Sequence, residues 1–229
     1  MKKIICISAF ILAIASSAQT TISKKLGDYS TLKVYNGIAV ELIKSKEQKI
    51  EITGEKSENV KLKNVNGILK ISLLFSLKPE ENAADGKILV KIYYNTTIAI
   101  IDANEGATIT GKDFNQDKVE IKAQERAFIN LTVRAKYIIV KSSSGGIIKL
   151  SGTAKNQEVD VDLYGIYHGF NMDVSGNSTV DAGTGAKAEI LVRETLNAKV
   201  GFGGSIFYKG NPEVIKNKKI IGGIIKKRD

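Results

Sequence analysis

Ile98-Ala-Ile-Ile-Asp102, Val119-Glu-Ile-Lys-Ala123, Ile138-Ile-Val-Lys-Ser142 and Val159-Asp-Val-Asp-Leu163 follow one another at intervals of roughly twenty residues, a period typical of stacked repeats. In each stretch alternate positions are apolar and mostly β-branched, the pattern of a half-buried strand. Ala107-Thr-Ile-Thr-Gly111, Phe128-Ile-Asn-Leu131 and Ile147-Ile-Lys-Leu-Ser-Gly152 lie between them and read as second strands. A unit this short cannot bury its apolar face alone, so neighbours must stack to make a continuous core. The expected fold is all-β: an elongated, β-helix-like β-solenoid of stacked coils.

The pattern extends in both directions. Met172-Asp-Val-Ser175, Ile190-Leu-Val192 and Ala198-Lys-Val200 continue the strands, with small-residue corners at Ser144-Gly-Gly146, Ser175-Gly-Asn177, Gly183-Thr-Gly185 and Gly203-Gly-Ser205. Upstream, Leu32 and Val34, then Ile38, Val40 and Leu42, fall two apart, and Asn36-Gly37 and Asn66-Gly67 tolerate the positive φ of tight turns. This N-terminal portion reads equally as antiparallel hairpins or as the first coils. Residues 76–86 are polar, hold one of only two prolines, and read as an exposed loop before the repeat array. No stretch has helical periodicity.

The ends differ in character from the middle. Residues 1–18 have a basic start at Lys2 and Lys3, an apolar run from Ile4 to Ala15, and small residues before Gln19. That is the layout of a secretory signal peptide cut after Ala18; a permanent N-terminal anchor is the alternative. Residues 19–28 are a polar lead, 29–212 the solenoid, and 213–229 a basic, glycine-containing tail. Cys6, the single cysteine, would leave with the leader, so an exported mature chain has no thiol for disulfides, metal binding or catalysis. The formal net charge is +10. Such a surface suits acidic polysaccharide, anionic lipid or extracellular DNA. Equally, outward lysines keep strands soluble and discourage edge pairing. The lysines look scattered rather than gathered in one stripe, apart from Lys216, Lys218, Lys219, Lys226 and Lys227, which with Arg228 make the C-terminal end basic.

Two segments carry candidate chemistry. Asp160 and Asp162 lie two apart on one strand and would share a face; with Asp173 or Asp181 they could bind calcium, or resemble the acidic cluster of a solenoid polysaccharide lyase. Alternatively Val159, Val161 and Leu163 face the core and the aspartates simply face water. Tyr164-Gly-Ile-Tyr-His-Gly-Phe170 is the most aromatic stretch and holds the sole histidine, His168. Aromatic faces beside carboxylates suit sugars, so Tyr164, Tyr167, His168, Asp160 and Asp162 are the candidate glycan contacts; a coil corner filled by aromatics is the alternative. No catalytic, cofactor or metal residues are assigned. Gly201-Phe-Gly-Gly204 lacks the nucleotide-binding glycine spacing, and Ser143-Ser-Gly-Gly146 lacks the nucleophile-elbow pattern.

Gly201-Phe-Gly-Gly-Ser-Ile-Phe-Tyr-Lys-Gly-Asn-Pro212 resembles the terminal motif of the head GIN domain family of auto-transporter adhesins, common in Bacteroidetes. Leu32-Lys-Val-Tyr-Asn-Gly-Ile-Ala-Val-Glu-Leu42, Ile50-Glu-Ile-Thr-Gly54 and Asn66-Gly-Ile-Leu-Lys-Ile71 are similar to its opening. Gln124-Glu-Arg-Ala127 and Arg193-Glu-Thr-Leu196 depart from its usual Ser-Gly corners. The resemblance implies an extended solenoid, exported to the periplasm, outer-membrane surface or medium, and supplies no catalytic residues. The resulting expectation is a non-enzymatic adhesin or glycan-binding protein whose partner is a polysaccharide or cell-surface ligand. A structural envelope protein contacting other envelope proteins is the alternative, followed by a carbohydrate-active enzyme.

Overall fold

The computed structural model describes residues 21–229; the expected signal peptide lies outside the described residues. Eighteen strands follow in order. The first nine are β1 Ile22–Lys25, β2 Thr31–Val34, β3 Ala39–Lys44, β4 Lys49–Gly54, β5 Val60–Val65, β6 Ile68–Leu73, β7 Ile88–Tyr94, β8 Ile100–Ala103 and β9 Thr108–Ala123. The rest are β10 Phe128–Ser142, β11 Ile147–Val161, β12 Ile166–Val174, β13 Asn177–Ala182, β14 Lys187–Val192, β15 Thr195–Val200, β16 Ser205–Lys209, β17 Val214–Lys219 and β18 Ile224–Lys227. They wind a parallel β-solenoid of about seven turns, with some antiparallel strands.

Each coil contributes one strand to each of two walls. The first wall runs β5, β6, β2, β8, the second halves of β9, β10 and β11, then β13, β15 and β17. The second runs β1, β4, β7, β3, the first halves of β9, β10 and β11, then β12, β14, β16 and β18. Antiparallel pairing is confined to β1–β4, β4–β7 and β5–β6, at the N-terminal end. The coil made by β2 and β3 is inserted between β6/β7 and β8/β9, so chain order and spatial order differ there.

Period-two alternation fills the space between the walls. On the second wall Ile52, Val90, Val40, Ile109, Ile129, Ile148, Tyr167, Ala188 and Ile206 form one inward row, all buried. On the first, Leu69, Leu32, Ile101, Ile121, Val140, Val159 and Val180 do the same. Each fully buried Val, Leu or Ile stabilises by roughly 1.5–3 kcal/mol, which makes these rows the main source of cohesion.

The walls meet along two edges. At one, β9, β10 and β11 bend without breaking. At the other, four-residue turns close every coil except that of β6 and β7, whose connection is longer, and the turns are hydrogen-bonded to one another. The N–H groups of Gly106, Arg126, Gly145, Tyr164, Gly185 and Gly203 donate to the carbonyls of Glu125, Ser144, Leu163, Thr184, Phe202 and Ile221 on the next coil. Gly165 closes one such turn, where a Cβ would collide with the carbonyl of Ser142 on the preceding coil.

Three sequence expectations shift. Residues 76–86 contain a short 3-10 turn, Pro79–Glu81, but lie within the β6–β7 coil rather than ahead of the whole array. Part of the polar lead forms β1. Residues 213–229 are not a free tail: β17 pairs with β15 and β18 with β16, making the last coil.

Val161 is fully buried and Asp160 beside it points outward. Val161→Asp is expected to cost about 3 kcal/mol or more, since a carboxylate would sit unpaired in the core, whereas Asp160→Ala is expected to change stability by less than about 0.5 kcal/mol. Urea unfolding checks this; equal, small losses would refute the facing.

Candidate functional site

The five residues singled out from sequence do not form one site. Asp160 projects outward from the first wall near the end of β11. Asp162 is past the strand end, at the start of the turn, where its Oδ1 accepts from the backbone N–H of Leu163 (2.8 Å) and of Thr184 one coil away (2.7 Å). It is a turn-builder, not a partner of Asp160 on one strand face. Leu163, expected to face the core, is turned out at the corner with φ 46°. Tyr164 is exposed on the same turn. His168 sits on the second wall, in β12.

Tyr167 is the clear correction. It is fully buried and cannot touch a ligand at the surface. It occupies an isoleucine position in an inward row; Ala188 is the next rung and Gly169 leaves space beside its ring. Its hydroxyl donates to Oε1 of Gln157 (3.2 Å), whose Nε2 donates to Oγ of Ser178 (3.0 Å), so the polar groups of a buried chain satisfy one another. Burial pushes the phenol pKa well above its ordinary value. The alternation of β12 carries this information: Tyr167 is two residues from Gly169 and out of phase with His168.

What the coils do bring together is a ladder of charges. Lys70, Lys33, Asp102, Lys122, Lys141, Asp160, Asp181, Lys199 and Lys218 stand on successive rungs of the first wall. The rungs are about 4.8 Å apart. Lys33 pairs with Asp102 (3.2 Å) and Lys199 with Asp181, while Lys141 and Lys122 both reach Glu120 (3.0 and 3.1 Å). These lysines looked scattered in sequence; the coil repeat aligns them. The signal was there, because 122, 141, 160, 181, 199 and 218 follow the period of the strands.

Beside the middle rungs a cleft of about 270 Å³ is lined by Lys122, Gln124, Lys141, Ser143, Asp160 and Asp162. Asp160 lacks a close cation. Partial burial, then repulsion from Asp181, raise its pKa above the ordinary aspartate value. Glu120 behaves oppositely: although burial pushes it upward, hydrogen bonds from Lys141 and Lys122 leave its pKa lowered. The cleft thus presents two cations, an amide, a hydroxyl and two carboxylates, suited to hydrogen-bonding a hydroxyl-rich or acidic ligand.

The second wall holds a separate polar group. Nδ1 of His168 lies 2.7 Å from Oε2 of Glu189, and Lys187 reaches the other carboxylate oxygen at 2.9 Å. Asp173, a suggested calcium ligand, is held bidentately by Arg193 (2.7 Å for both bonds). Among the described residues no three His, Cys, Asp or Glu side chains gather as a metal-holding group, and no helix is long and apolar enough to cross a membrane.

Known proteins share the family and the fold. Residues 28–212 match the family described as "Putative auto-transporter adhesin, head GIN domain". A "putative adhesin" from Bacteroides fragilis superposes with a TM-score of 0.80 at 19% identity, over 93% of this chain and 98% of that one. A protein from Parabacteroides distasonis described as a "putative lipid binding protein" gives 0.65 at 16% identity, over 93% and 98%. An adhesin of Parabacteroides merdae so described gives 0.62 at 17%, over the same shares. At these identities the likeness is one of fold. No match was found among curated proteins.

Two outcomes are expected. Tyr167→Phe strands Oε1 of Gln157 in the core and should cost about 1–2 kcal/mol in urea unfolding, with Tyr164→Phe as the silent control. Asp160→Asn removes a carboxylate whose folded pKa is raised, so the native state binds its proton more readily than the unfolded chain. The variant should therefore be slightly more stable at pH 7, by under about 0.5 kcal/mol at so exposed a site. That advantage should vanish as pH falls through the carboxylate range; a variant less stable at pH 7 would contradict it.

Proposed function

This chain belongs to the head GIN domain family, and we propose that it is an exported, non-enzymatic binding protein of the bacterial envelope. Its ligand is a cell-surface polysaccharide gripped along the first wall. The observation that carries this reading is the charge ladder with its cleft at Lys122, Lys141 and Asp160. A polymer with regularly spaced hydroxyl or carboxylate groups meets a surface whose donors and acceptors are also regularly spaced. Many modest contacts along such a wall add up without any single deep pocket.

The apolar leader over residues 1–18 supports export. Family and structural relatives described as adhesins support a binding role. The cleft holds no nucleophile hydrogen-bonded to a base: His168 is on the other wall, occupied by Glu189. A structural envelope role is the second reading, favoured by β17 and β18, whose other side has no partner strand among the described residues.

The test is retention on immobilised bacterial and host polysaccharides. Wild-type protein should be retained on at least one, and Lys122→Ala with Lys141→Ala should weaken it at least about tenfold, since each hydrogen bond from a charged donor contributes roughly 1.5–3 kcal/mol. Failure to bind any polysaccharide, together with co-purification of envelope proteins, would replace this reading with the structural one. Release of new reducing or unsaturated sugar ends would make it an enzyme.

A further inference from the structure

The hydrogen-bonded turns form a straight edge whose chemistry changes along its length. In spatial order the two residues at each turn tip are Asp85-Gly86, Asn36-Gly37, Glu105-Gly106, Glu125-Arg126, Ser144-Gly145, Leu163-Tyr164, Thr184-Gly185, Phe202-Gly203 and Ile221-Gly222. The first five pairs are polar or acidic, although the long β6–β7 connection that ends in Asp85-Gly86 also exposes Leu74, Phe75 and Leu77. In the last four, Leu163, Tyr164, Phe202 and Ile221 are 48%, 68%, 66% and 79% exposed.

These side chains do not serve folding. Tips of this kind favour Asn, Asp and Gly because they require positive φ. Leu163, Tyr164 and Phe202 nevertheless hold φ of 46°, 63° and 46°. A bulky residue is strained in that region, and although the Tyr164 ring lies against Gly185 of the next turn, all three side chains stay about half exposed or more. Glu125 and Arg126 hold the same conformation at the polar end, so it is the exposed apolar chemistry of the last tips, not the backbone, that points to a ligand.

Charge identifies the ligand. Residues 199–229, which form the last two coils behind Phe202 and Ile221, carry eight Lys and Arg against one Glu and one Asp. Lys216, Lys218, Lys219 and Lys226 make no ion pair among the described residues. A second copy docking on the same end would bring these cations face to face. A narrow convex ridge of separated tips fits poorly into a flat protein surface, but it can sink into the soft boundary between headgroups and acyl chains. Apolar residues at such a boundary with lysines beside them are the requirements of peripheral attachment to anionic lipid.

We propose that the C-terminal half of the turn edge is a membrane-docking ridge: Tyr164, Phe202 and Ile221 enter the interface of an anionic bilayer while the lysines of the last coils meet its phosphates. The chain would then lie with this edge on the membrane and with the charged first wall standing beside it, free to meet another ligand. The ridge and the cleft share no residue, and of the ladder only the end rungs Lys199 and Lys218 lie in the basic coils, so this inference does not depend on the polysaccharide reading at the cleft.

The experiment is vesicle flotation of the protein from residue 19 onward, with phosphatidylglycerol–phosphatidylcholine vesicles and with phosphatidylcholine alone. Wild-type protein should float with the anionic vesicles and not with the neutral ones, and raised salt should release it. Tyr164→Asn, Phe202→Ser and Ile221→Ser together should weaken binding at least about tenfold, without lowering the melting temperature, because the tips add no core. In an independent measurement, the fluorescence of Phe202→Trp should shift to the blue on adding anionic vesicles. Wild-type protein left unbound, a triple variant that floats as well, or an unshifted tryptophan would each overturn the proposal. So would lipid-free dimerisation that the triple variant abolishes, which would make the ridge a contact between copies. Polysaccharide retention by the triple variant should equal wild type, keeping the two functions separable.

Discussion

Every coil of this molecule is held by its neighbours, and the register in which they stack is the constraint from which the rest follows. Parallel backbone pairing alone would tolerate slippage. The inward rows do not, because sliding a strand by one residue would exchange, for example, Val159 and Val161 for Asp160. The same register lines up the outward residues, so the charge ladder of the first wall is a by-product of burying Val140, Val159 and Val180. A surface built this way is regular without being selected rung by rung, and substitutions at single rungs can tune it.

The turn edge obeys a different rule. Its tips lie outside the core and are linked mainly by backbone hydrogen bonds, with side-chain contacts added at Asn36–Glu105, Asp162–Thr184 and Tyr164–Gly185. The tips themselves run from acidic and amide residues at one end to Tyr164, Phe202 and Ile221 at the other. The end coil is consistent with this division. β17 is exposed throughout, and its lysines discourage another strand from pairing there.

Much of the fold was legible in the sequence because β-branched alternation and a coil-length period both derive from local chemistry. The strand positions from Ile98 to Gly210 follow from pattern, whereas for the N-terminal portion pattern left hairpins and first coils equally open, and the structure holds both. Three things were hidden by long-range pairing. Insertion of the β2/β3 coil between later strands leaves no local trace. The last coil reads as a basic tail because Lys216, Lys218 and Lys219 dilute its apolar residues. The site was the least legible: Asp160, Asp162, Tyr164, Tyr167 and His168 are adjacent in sequence, yet the chain passes through wall, turn, core and opposite wall within nine residues. Strict application of the coil period to Lys122, Lys141 and Lys199 would have found the ladder.

A role in contact with other cells requires the charged wall to face outward from the outer membrane. Protease and antibody accessibility on intact cells, with a periplasmic protein as control, tests that most directly. Labelling and cleavage without lysis are expected. Protection until the outer membrane is opened would contradict a role in contact with other cells.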